Sequence, residues 1–105
     1  FGECILPMDD ALVLTALDLS GRPYLGFELP LTVERVGAMD TEMVREFFYA
    51  VSYGAGMNLH IRLLSGTNNH HIIEAAFKSF AKALDMAVTV DSRITDVLST
   101  KGSLS

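Results

Sequence analysis

The hydrophobic pattern of the chain switches between a period of two and a period near 3.6. Residues 11–18 read Ala-Leu-Val-Leu-Thr-Ala-Leu-Asp. Strand side chains alternate between faces, so Val13, Thr15 and Leu17 point one way and Leu12, Leu14 and Ala16 the other. A strand apolar on both faces belongs in the middle of a sheet or beneath a partner. Residues 19–23, Leu-Ser-Gly-Arg-Pro, make a turn. Tyr24 to Leu29 then predicts a returning strand, the pair forming a hairpin. Pro30 interrupts, and Thr32 to Val36 predicts a third, shorter strand. From Asn58 to Ser65 the alternation is clean, with Leu59, Ile61 and Leu63 on one face and Asn58, His60 and Arg62 on the other.

Two segments carry the helical period. Val44, Phe47, Phe48, Val51 and Ala55 form a stripe expected to be buried. Asp40 is placed to cap that helix, Glu42 complements its dipole, and Gly54 and Gly56 end it. A second helix starts at a cap of Asn68 or Asn69 and runs to about Leu84. Ile72, Ile73, Ala76, Phe77, Phe80, Ala83 and Leu84 share its apolar face. Val88 to Val90 predicts a short edge strand, and residues 91–105 a frayed terminus. Strands beneath two helices on one face of a sheet give an α+β two-layer sandwich.

Composition narrows the function classes. The 105 residues suffice for one small domain, and half of them are hydrophobic. A net charge of −5 argues against a nucleic-acid-binding surface. No apolar run approaches membrane-spanning length and no basic-then-apolar leader opens the chain, so no membrane partner is expected. Cys4 is the single cysteine, which excludes an internal disulfide and points to a reducing, cytoplasmic setting. A first residue of Phe1 rather than methionine points to a fragment or a processed chain.

The candidate chemistry sits on the polar face of the second helix. His70, His71, Glu74 and Lys78 fall within an arc of roughly 100°. His70 and Glu74 are i,i+4 neighbours that meet over one turn, while His71 diverges towards another partner. Two imidazoles and a carboxylate suit a borderline divalent metal such as Mn, Fe, Co or Zn. Lys78 and the positive helix N-terminus suit a phosphate. The same residues also read as an exposed polar face with solvated histidines. This is not the His-Glu-x-x-His of zinc proteases, whose histidines stand four apart. Other positions stay open between two readings. Asp9 and Asp10 are a metal-binding acid pair or, more simply, a solvated loop. Arg22 and Arg35 hold phosphate or are surface arginines. His60 touches a site or is structural. Glu46 reads as an ordinary exposed helix glutamate. Ser99-Thr100-Lys101-Gly102 is a phosphate-wrapping turn or part of the frayed end.

The run Gly66-x-Asn68-x-His70-His71-Ile72-Ile73-Glu74-Ala75-x-Phe77-Lys78 resembles the second signature of the imidazoleglycerol-phosphate dehydratase family. Leu17-Asp18-Leu19-Ser20-Gly21-Arg22-Pro23-Tyr24, Asn58-Leu59-His60-Ile61 and Ser99-Thr100-Lys101-Gly102 match further family segments in order, so the similarity covers nearly the whole chain. Family members are about twice this long through an internal duplication. The resemblance therefore makes residues 1–105 the second repeat, a half-domain with the two-layer fold of ribosomal protein S5 domain 2. It implies dehydration of imidazole glycerol phosphate to imidazole acetol phosphate in histidine biosynthesis. In the family, manganese ions hold the substrate ring as an imidazolate. Its electron density expels the neighbouring hydroxyl, and proton loss gives an enol that becomes the ketone. Mn²⁺ is thus the implied cofactor, with another divalent metal as the alternative.

Carried over, His70 and Glu74 would ligate one metal and His71 the other, with Glu74 and His71 as the residues closest to catalysis. Lys78, Ser99 and Lys101 would hold the substrate phosphate. Glu46 stands where many members have histidine before Phe-Phe or Phe-Leu; either Glu46 is the ligand in that residue's place or the coordination is completed otherwise. The implied partners are the phosphorylated imidazole substrate, the N-terminal half-domain and a large homo-oligomer. The alternative is a non-catalytic half-domain that binds metal and assembles with itself.

Overall fold

The computed structural model describes the backbone of residues 1–101 and the side chains of residues 1–89. Its central element is a four-stranded sheet in the order β1-β2-β6-β3. These strands are β1 (Gly2–Met8), β2 (Ala11–Asp18), β3 (Tyr24–Glu28) and β6 (Asn58–Ser65). A small hairpin of β4 (Arg35–Val36) and β5 (Met39–Asp40) stands apart. The helices are α1 (Glu42–Ala55) and α2 (Asn69–Lys101). The expected α+β architecture holds. No helix among the described residues is long and apolar enough to cross a membrane.

β2 is central, as its two apolar faces require, but its neighbours are β1 and β6, both antiparallel. The expected β2–β3 hairpin does not form. β3 lies beyond β6 and runs parallel to it, in register from Tyr24↔Asn58 to Glu28↔Arg62. Parallel neighbours need a crossover, and α1 supplies it. The turn after β2 is held by that crossover's end: Gly21 N donates to Gly56 O at 2.7 Å and Tyr24 N to Met57 O at 3.1 Å. The third strand expected over 32–36 reduces to Arg35–Val36. β1 was not legible in the sequence because Gly2 and Pro7 weaken its pattern. Proline is tolerated there because the strand forms a sheet edge.

The core lies between the helices and one face of the sheet. Val13, Leu59 and Ile61 meet Phe48, Ile72, Ala76 and Ala83, all essentially sealed from solvent. Phe48 is the aromatic hub, with ring centroids 5.0 Å from Phe77 and 5.3 Å from Phe80. The buried stripe of α1 is Val44, Phe48 and Ser52. Phe47 and Ala55, expected to be buried, are exposed. The first helix starts at Thr41 rather than Asp40, yet Asp40 Oδ1 still accepts from Glu42 N at 3.0 Å.

α2 packs very closely on β1: a Cβ on Gly2 would collide with the Ala83 carbonyl, so only glycine fits. Ala83 and Ala87 continue the same spacing, and Thr89 Oγ1 donates to Asp85 O at 2.9 Å. The helix therefore runs through Val88–Val90 instead of giving way to an edge strand. No Gly or Pro interrupts it, and packing overrides the local β preference. The helical backbone reaches Lys101, where the sequence predicted a frayed end.

Candidate functional site

The site is built where α2 begins. β1 and β2 are joined by the two-residue turn Asp9-Asp10, between the paired Met8 and Ala11. Asp9 adopts φ 51°, a left-handed conformation that aspartate tolerates better than most residues. Because β2 pairs with β6 out to Leu12↔Ser65, the acidic turn lies beside the segment that leaves β6 for α2. Gly66 carries the chain past it at φ 115°, and a Cβ there would stand 2.6 Å from Ala11 Cα and 2.8 Å from Asp10 O.

Asp10 binds this approach together. Its Oδ2 accepts from Thr67 N at 2.8 Å and from Asn68 N at 3.0 Å. Its Oδ1 faces His71 Nδ1 at 2.9 Å. Asn68, one of the two candidate caps, accepts from His71 N at 3.0 Å and so caps the first turn. Asn69 turns instead to Thr32, accepting from its N–H at 2.9 Å. On the other edge of the His71 ring, Nε2 lies 3.2 Å from Asp9 Oδ2.

His71 thus stands between two carboxylates and is 29% exposed. His70 is 67% exposed and only 3.9 Å from Glu74 Oε1. Glu74 is engaged by Lys78, whose Nζ donates to Oε2 at 2.8 Å. The electrostatics follow from these contacts. The Thr67 N–H, then His71 and the Asn68 N–H, hold the Asp10 carboxyl well below the usual carboxylate range. The Asp10 hydrogen bond raises His71 above its ordinary 6.5. Lys78 lowers Glu74 below its ordinary 4.5.

The structure therefore brings together His70, Glu74 and Lys78 along one side, and His71, Asp9 and Asp10 along the other. The acid pair is the part that sequence reasoning undervalued. Its signal was present: two aspartates between apolar runs mark a hairpin tip, but only the β2–β6 pairing shows what the tip faces. Glu46 is exposed on α1 and makes no hydrogen bond or ion pair among the described residues. The side chains of Ser99 and Lys101 lie outside the described residues. His60 projects from the sheet face turned away from the helices, against Tyr24 at 5.4 Å between ring centroids. Arg35 lines a cavity of about 690 Å³ between β3, the β4–β5 hairpin and α1. Thr32, on the rim of that cavity, is the residue tied to Asn69.

The donors have the chemistry of a borderline divalent ion, imidazole nitrogen with carboxylate oxygen. Their number is short: among the described residues, no three His, Cys, Asp or Glu side chains form a group ready to hold an ion.

Residues 1–84 match the family model described as imidazoleglycerol-phosphate dehydratase. The chain belongs to this family. The imidazoleglycerol-phosphate dehydratase of Lachnoclostridium phytofermentans is 64% identical over 104 residues, 99% of this chain and 53% of the relative. That of Acetivibrio thermocellus is 58% identical over the same share of each. The crystal structure of the Staphylococcus aureus dehydratase superposes with a TM-score of 0.80 at 50% identity, covering 82% of this chain and 50% of that one. The Pyrococcus furiosus protein, in complex with (S)-C348, gives 0.73 at 42% identity. The chain spans about half the length of the dehydratases it matches. Dehydratase-family structures thus share its mixed sheet and paired helices, and the His-His-x-x-Glu residues at the start of α2 lie within the matched span.

Proposed function

We propose that this chain is the second repeat of a cytoplasmic, metal-dependent hydro-lyase of histidine biosynthesis, converting imidazole glycerol phosphate to imidazole acetol phosphate. The observation that carries this reading is the start of α2, where His70, His71 and Glu74 divide between two directions inside a family-matched segment. His70 and Glu74 would hold one divalent ion and His71 the other. Bound manganese would supply a Lewis acid and a template for the substrate ring. Lys78, whose ammonium pairs with Glu74 in this structure, would turn to a phosphate oxygen once Glu74 holds a metal, with Ser99 and Lys101 as the further phosphate contacts proposed. The shortfall in donors supports completion of each ion's shell by the N-terminal repeat and by neighbouring subunits of a large homo-oligomer, with Glu46 as a further donor from α1. Exposed Met43, Phe47, Tyr49 and Tyr53 on α1 support such partners.

The experiment is reconstitution: this chain mixed with the N-terminal half of a dehydratase and Mn²⁺, assayed for the ketone product. Activity in the mixture supports the reading, and inactivity despite a formed complex overturns it. The incomplete donor sets also favour a second reading, a non-catalytic half-domain that binds metal and pairs with itself. Dehydratase activity of this chain alone would end that one.

A further inference from the structure

We propose that Asp10 is the positioning residue of the His71 ligand, fixing the protonated ring nitrogen so that Nε2 is the one offered to a divalent ion. The inference rests on the reading of His71 as a ligand and adds a residue from outside the His-His-x-x-Glu run.

The argument is one of donors and acceptors. A carboxylate only accepts, so the 2.9 Å contact between Asp10 Oδ1 and His71 Nδ1 places a proton on Nδ1. A neutral imidazole with Nδ1 protonated keeps its lone pair on Nε2, the form in which histidine binds metal. Metal-bound histidines commonly donate their other N–H to a carboxylate, which fixes ring orientation and raises basicity. On the other edge Nε2 lies 3.2 Å from the 72% exposed Asp9 carboxylate, a contact that the charged ring makes through its second N–H; a divalent ion at Nε2 takes the place of that proton. Asp10 is 42% exposed and pinned by the Thr67 and Asn68 N–H groups. With Nε2 deprotonated, the Asp9 carboxylate beside it favours a cation.

The bland alternative makes Asp10 a loop tie only, and Asp10→Asn separates the two. The amide oxygen can still accept from Thr67 and Asn68. Its NH₂ then faces Nδ1, which must become the acceptor, and the proton moves to Nε2. Long-range ¹H–¹⁵N couplings of His71 in the metal-free chain, recorded where the ring is neutral, read the tautomer directly. The expected result is Nδ1–H in the wild type and Nε2–H in Asp10→Asn, with little change in melting temperature. Mn²⁺ affinity, followed by its EPR signal, should fall about 10- to 100-fold in Asp10→Asn and recover in part in Asp10→Glu. The control Asp85→Asn should leave it unchanged. The same tautomer in both proteins, or unchanged Mn²⁺ affinity with a switched tautomer, overturns the proposal. If His71→Ala binds Mn²⁺ as the wild type does, the ligand reading fails, and the tautomer readout still reports separately whether Asp10 sets the ring.

Discussion

The two sides of α2 are finished to different degrees. The side facing the sheet is closed along the described residues: Ile72, Ala75, Ala76, Ser79, Ala83 and Ala87 are sealed. Even the buried Ser79 hydroxyl is satisfied, lying 2.7 Å from Thr15 Oγ1 and donating to Ala76 O. The polar side is only begun. His71 is held on both edges, but His70 is largely exposed and Glu74 is occupied by a lysine. Among the described residues the packing of α2 on the sheet is finished, while the proposed metal chemistry needs further donors. Stability and metal binding should accordingly respond to different residues.

The largest effect is expected from Phe48→Ala, which empties the aromatic hub. Buried Phe→Ala changes cost about 3–5 kcal/mol, measurable by urea unfolding, whereas His70→Ala should stay within roughly 0.5 kcal/mol as surface changes do. Comparable losses in the two variants would break the comparison. Next, His71→Ala should lower Mn²⁺ affinity by about tenfold or more. Lys82→Ala, on an exposed position of the same helix, should not. Equal metal content in both would remove His71 from the ligands. Asn68→Ala deletes the side-chain cap at the start of α2 and should cost about 1 kcal/mol of stability, a test of whether the polar end contributes to folding at all. The smallest effect belongs to Lys78→Met. The i,i+4 pair is exposed and screened by solvent, so stability should barely move. The Glu74 carboxyl should titrate higher, because the lysine that depresses it has gone. The sign follows from that depression: the pair stabilises above pH 4.5 and weakens as pH falls through the folded value. A carboxyl resonance of Glu74 unchanged by the substitution would mean that Lys78 does not govern it.

What the sequence made legible divides along the same line. The 3.6 period of Ile72 to Ala83 and the alternation of Leu59 and Ile61 are local signals, and both elements stand where they pointed. The partners of those elements are not local. Nothing in residues 19–23 says that the next strand will cross over β6, since the Gly56 and Met57 carbonyls that hold the turn lie more than thirty residues away. The edge strand expected at Val88–Val90 failed for a similar reason: close packing at Ala83 and Ala87 keeps the helix going. In the site, the His-His-x-x-Glu spacing was readable because it belongs to one helix. The role of Asp10 was hidden because it depends on two strands lying side by side.

The acidic turn also limits how this molecule can be altered. Hairpin tips are ordinarily where a chain accepts extra residues most readily. One residue inserted between Met8 and Ala11 would displace the carboxylates by about 3.3 Å along the strand, more than the whole length of the Asp10–His71 hydrogen bond. Loop length at this position is therefore dictated by an imidazole on another element, and a label or graft belongs elsewhere. The β4–β5 tip at Gly37 faces open space and offers that place.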